Sequence, residues 1–175
     1  MPNLLVKIFS TPRKIIDIKD LSEQKNLLAI GAELDKKIKK LFSGSLAIRE
    51  VDAGSDNAVE QELTALSNAY YDCERFGIHF VASPRHADML IVTGPVSRNM
   101  QEAVLRTYEA TPTPKIIVSV GDEAIDGGLF HDSYAIIGEV NKVIAVDYGI
   151  KGNPPSPLVI LRALLYILND IDKKI

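Results

Sequence analysis

Residues 114–128, PKIIVSVGDEAIDGG, decide the fold. The run IIVSV is apolar and largely β-branched, bounded by a proline and a glycine, and too short for a stable helix. It lacks the polar alternation of a half-solvated strand, so it must be buried on both faces, as in a parallel sheet covered by helices. Outward from it, Leu46–Asp52 (LAIREVD), 78–82, Met89–Thr93 and 142–147 (KVIAVD) read as further strands. Residues 21–42, 57–66, 99–110 and 157–168 carry helical spacing between or beside them. The alternation predicts an α/β fold of three layers, a largely parallel sheet with helices on both faces. Residues 83–88 are too few for a parallel crossover, so 78–82 is expected at an edge, unpaired with its successor.

The 175 residues, 46% hydrophobic and 25% charged, suit one globular domain. With a net charge of -3 the chain lacks the overall basic excess of a general nucleic-acid binder, which leaves only a local basic patch open. The single cysteine, Cys73, cannot form an internal disulfide or by itself hold a zinc ion or an iron–sulfur cluster. No secretory pattern opens the sequence, so a cytoplasmic protein is expected. The most apolar stretch, 157–168, is shorter than the ~20 residues that span a bilayer and carries Arg162, so it reads as a buried helix. Within 21–42, Leu27, Leu28, Leu34, Ile38, Leu41 and Phe42 form an apolar stripe beside Lys36, Lys37, Lys39 and Lys40. Either the lysines are solvated and complement the helix end, or they face a partner or an anionic membrane surface.

Ligands of open α/β sheets bind at the carboxyl ends of strands, which directs attention to 53–57, 121–128 and 149–155. Each loop is rich in glycine or proline. The second, GDEAIDGG, lacks both the P-loop lysine and the dinucleotide glycine pattern, and no G-x-S-x-G elbow occurs. His79, His86 and His131 lack zinc-site spacing and are expected to be structural or solvated.

These loops, with YYDCERFGIHF (70–80), SPRHADMLIVTGP (83–95), FHDSY (130–134) and GNPPSP (152–157), carry a resemblance. Over about 46–168 the chain resembles the small, cluster-carrying subunit of membrane-bound nickel–iron hydrogenases and formate hydrogenlyases. That family includes the 20-kDa-type subunit of NADH-quinone oxidoreductase. The resemblance implies a flavodoxin-like domain over 46–175, preceded by an amino-terminal extension, 1–45, with the amphipathic helix. It also implies four cysteines binding a 4Fe-4S cluster, in loops like G-S-C-N-x-C-E, G-x-C and P-G-C-P-P. Here those positions hold Asp56, Val59, Glu123 and Asn153. Val59 offers no donor atom and Asn153 only a neutral amide, so no conventional cluster is expected. Cys73 lies outside the four positions and reads as a small buried residue. Asp56, Glu60, Asp122, Glu123 and Asp126 remain oxygen donors, either for a hard cation such as Mg2+ or Ca2+ or for solvent, backbone and a partner's basic groups.

Arg75, Arg85 and His86, with Asp72, Glu74 and Asp88, flank the short 78–82 strand. The resemblance places such segments near a large-subunit contact, which makes Glu60, Arg75, Arg85 and His86 candidate partner contacts; intrachain pairing is the alternative. The three loops are expected to converge on one sheet edge beside Arg75 and Arg85. The functional expectation is a cluster-less structural or assembly subunit, with no catalytic residue and no metal. It would dock a large-subunit homologue in a membrane-associated hydrogenase-like or quinone-oxidoreductase-like complex. Its place would be peripheral, at the inner face of the membrane, with membrane subunits reached indirectly and no nucleic acid. The alternative is an active electron-transfer component using a replacement metal or a partner-supplied cluster.

Overall fold

The computed structural model describes residues 13–21 and 26–174. Its main sheet has six strands, β1 (Lys14–Ile16), β2 (Leu46–Asp52), β3 (Ile78–Phe80), β4 (Met89–Thr93), β6 (Ile116–Val120) and β8 (Tyr148–Ile150), after counting β5 (Val96–Ser97) and β7 (Ile136–Gly138) in chain order. The order is β1-β8-β6-β4-β2-β3, with every neighbouring pair parallel. β5 and β7 form a separate antiparallel pair. The central strands MLIVT and IIVSV are buried throughout, as their unbroken apolar runs demand. β3 pairs with β2 at one edge and not with β4, as the short 83–88 connection requires.

Successive residues of the strands serve two cores. Leu46, Ile48, Met89, Ile91, Ile116 and Val118 face α1 (Leu27–Phe42), α2 (Ala58–Ala65) and α5 (Pro157–Lys174). Val51, Leu90, Val92 and Ile117 share the second core with Val104 of α3 (Gln101–Ala110) and Ala124 of α4 (Asp122–Asp126). This is the expected α/β architecture. The described part of 1–45 contributes β1 to the sheet and α1 to the helical layer that packs on α5. Lys37 and Lys40 pair with Asp172 of α5 at 2.6 and 2.5 Å, and Lys39 with Asp35 at 2.7 Å. Residues 22–25 of the expected 21–42 helix lie outside the described residues; the described helix begins at Leu27, with the Asn26 side chain accepting from the Leu28 N–H. The last helix continues past 168 to Lys174 because Ile171 still reaches the core.

One expected strand is absent. Val140–Lys142 is a 3-10 turn, residues 143–147 are irregular, and the strand is the next three residues, Tyr148–Ile150. The apolar residues of KVIAVD go into packing: Ile144 and Val146 fill the second core and Val143 packs against it. Asp147 then fixes where pairing begins. Its backbone N–H donates to the Ile117 carbonyl at 2.9 Å, and its carboxylate accepts from the Ile117 N–H at 2.8 Å. Asp88 repeats the device before β4, with Ala47 as partner, at 2.8 and 2.9 Å.

Candidate functional site

With all six strands parallel, residues that follow a strand lie at one edge of the sheet and residues that precede one lie at the other. Loops 53–57, 121–128 and 151–155 follow β2, β6 and β8, and the structure brings them together at the carboxyl edge. In the first loop the Asp52 carboxylate accepts from the N–H groups of Gly54 and Ser55, both at 2.8 Å, which folds the chain into a tight turn. Asp56 accepts from the Ala58 N–H at 2.9 Å, where α2 starts. The second and third loops are tied by two bonds: Asp122 N–H donates to the Gly152 carbonyl at 2.9 Å, and Gly152 N–H to the Asp122 carboxylate at 3.0 Å.

Val59 stands between these loops. A Cβ built on Gly121, whose φ is +93°, would lie 2.8 Å from Val59 Cγ2 and 3.7 Å from the Gly152 carbonyl oxygen. Only glycine allows both that backbone angle and that approach. Glu123 sits near Asp56 and Glu60; burial first, then those two carboxylates, raises its pKa. Asn153 follows Gly152 directly. The four compared positions therefore gather where the three loops meet, and they present two carboxylates, one amide and one hydrocarbon side chain. Among the described residues no three His, Cys, Asp or Glu side chains are grouped to hold a metal ion. Cys73 is buried at the opposite edge, its sulfur 3.9 Å from the Ile78 carbonyl oxygen.

Glu60 is drawn inward from this surface. The buried Thr93 hydroxyl, at the end of β4, donates to Glu60 Oε1, while Glu60 Oε2 and the neighbouring Glu50 Oε1 are buried without a hydrogen-bond partner among the described residues. Both glutamates line a cavity of about 230 Å³ with Leu63, Thr64, Ser67 and Phe80. Burial, and secondarily the Glu60 charge, raises the Glu50 pKa. Sequence reasoning missed Thr93 and Glu50; a signal existed for each, a lone hydroxyl closing the apolar run MLIVT and an acid inside LAIREVD.

Apolar surface adjoins the carboxyl edge. Leu129 and Tyr134 are 87% and 91% exposed, with Phe130 half exposed between them. Their loop is anchored rather than loose: Arg98 N–H donates to the Ala135 carbonyl at 2.9 Å and Arg98 Nε to the Tyr134 carbonyl at 2.6 Å, beside the β5–β7 pair.

The charged motifs lie elsewhere. Arg75 precedes β3 and Arg85 and His86 precede β4, so all three sit at the amino edge, away from the loops they were expected to join. Arg75 lies 3.9 Å from Asp72 and its guanidinium carbon 4.6 Å from the Phe76 ring centroid. Arg85 and His86 are exposed. Of the four candidate contacts, only Glu60 belongs to the carboxyl edge.

Comparison with known proteins agrees with this fold. A family model described as the 20 kDa subunit of NADH ubiquinone oxidoreductase matches residues 57–167. Formate hydrogenlyase subunit 7 of Escherichia coli K12 is 39% identical over 155 residues, 89% of this chain; the chain spans 59% of that relative's length. A probable membrane-bound hydrogenase subunit of Pyrococcus furiosus is 39% identical over 145 residues, covering 81% of this chain and 87% of that protein. A chain of the membrane-bound sulfane sulfur reductase, an archaeal respiratory membrane complex, superposes with a TM-score of 0.66 at 30% identity, covering 85% of this chain and 77% of that one.

Proposed function

Because the chain belongs to the NADH ubiquinone oxidoreductase 20 kDa subunit family, we propose that it is a cluster-less subunit of a membrane-associated hydrogenase-like or quinone-oxidoreductase-like complex. Its task is to dock a large-subunit-type partner on the carboxyl edge. The observation that carries this reading is the content of the three loops. Where the family resemblance implies cluster thiolates, Val59 packs toward Gly121, and Asp56 and Asp122 are occupied by backbone N–H groups. That donor set does not fit a 4Fe-4S cluster, whose irons are held by thiolates. The loops are nonetheless tied to each other, so the surface is built without a cofactor.

That surface has what a partner needs. Leu129, Phe130 and Tyr134 supply exposed apolar area, and Asp56, Glu123 and Asp126 supply negative charge, which suits an apolar centre with a basic rim on the other side. No described helix is long and apolar enough to cross a membrane.

Iron and acid-labile sulfide analysis of anaerobically purified protein tests the first half of the proposal. Iron and sulfide well below one cluster per chain are expected; a stoichiometric 4Fe-4S signal from the isolated chain overturns it. A photo-crosslinker at Leu129 in the native complex tests the second, with an adduct to the large subunit expected.

A further inference from the structure

We propose that the amino edge of the sheet is a second docking surface, a groove that receives an acidic segment bearing an apolar side chain from a different subunit of the same complex. The inference rests on the reading of the chain as a complex subunit, and it accounts for charged residues that reading leaves unused. The groove, about 280 Å³, lies between the end of α1, the 3-10 turn Pro84–His86 and the turn before β6. Leu41 and Phe42 form a half-buried apolar floor, Pro112 and Pro114 are exposed on one wall, and Arg85 and His86 on the other.

Charge decides the occupant. The Arg85 side chain makes no hydrogen bond or ion pair with any described residue, in contrast to Arg75, which has Asp72 and the Phe76 ring. The one carboxylate among the described residues that line the groove, Asp88, is already engaged by the Ala47 N–H at 2.9 Å. A guanidinium with its five donors free, beside a hydrocarbon floor, is matched by a partner carboxylate with an apolar neighbour. A free inorganic anion would satisfy the charge and leave the floor uncovered. β4 separates this groove from the carboxyl edge by five residues, about 17 Å. Two partners therefore fit without competing.

The test uses the intact complex from its native source. A benzoylphenylalanine photo-crosslinker is placed at Thr113 in one preparation and at Leu129 in another, and adducts are mapped by mass spectrometry. The Thr113 adduct is expected on a different subunit from the Leu129 adduct, in a peptide with Asp or Glu within a few residues of the attachment point. Arg85→Glu is expected to lower retention of that second subunit on the order of tenfold, with the large subunit and the melting temperature unchanged. A Thr113 adduct to lipid, to the same subunit as Leu129, or to no partner overturns the proposal, as does full retention in Arg85→Glu. Failure at Leu129 alone overturns the large-subunit docking and leaves the groove standing.

Discussion

Replacing Gly31 by alanine sets two effects of opposite sign against each other. Gly31 is in the interior of α1, where helix propensity alone favours alanine by about 1 kcal/mol. A Cβ at that position, however, would lie 2.1, 2.2 and 2.5 Å from Cε1, Cζ and Cδ1 of Phe76. Carbon atoms in contact need about 3.5 Å or more. Phe76 cannot simply swing away, because its ring is 7% exposed and belongs to the main core, with the Arg75 guanidinium against its face. Overpacking of a filled core costs about 1–3 kcal/mol, and overlap with three ring carbons belongs at the upper end. The net expectation is a loss of about 2 kcal/mol, or about 4–8 °C in melting temperature for a chain of this size. Thermal and urea unfolding followed by circular dichroism measure it. In a Phe76→Leu background the same change should become neutral or stabilising, since the ring is gone. A Gly31→Ala protein as stable as the wild type would refute the reasoning.

Glu50 has its pKa raised in the folded state, so the wild type is at its relative best below the unfolded pKa and loses stability as pH rises through the folded one. Glu50→Gln should therefore gain on the wild type in urea midpoint at pH 8 and show no such gain at pH 4; equal differences at both would contradict this. Asp147→Ala removes the acceptor of the Ile117 N–H at the start of β8 and should cost about 1–3 kcal/mol in urea unfolding, the price of a buried donor left unpaired. A double change, Leu129→Ser with Tyr134→Ser, should leave the melting temperature unchanged and reduce recovery of the large subunit in pull-downs; undiminished recovery would remove this loop from the interface.

The central strands were legible because burial on both faces leaves a composition that no other element shares, as in IIVSV and MLIVT. KVIAVD misled for a physical reason: β-branched composition reports burial, and Ile144 and Val146 are buried in irregular backbone. Strands of three residues, such as β1 and β8, are too short for periodicity to mark. At the site, the convergence of the three loops followed from strand direction. The same rule would have placed Arg75 and Arg85 correctly, since both precede their strands. What sequence could not supply was the inward turn of Glu60 to Thr93, which depends on how α2 crosses β4.

Asp88 and Asp147 lie at the far edge from the loops, yet they govern them. Each clasps the neighbouring strand through two bonds, and each backbone carbonyl also accepts from a strand on the other side, Ile116 at 3.0 Å and Lys14 at 2.9 Å. A one-residue slip would break every one of these bonds at once. The strands thus start level and, being rigid, end level, so the height at which the three loops meet is set at the opposite end of the molecule. Placement and chemistry are in separate hands: side chains on the platform can be exchanged without moving the platform itself.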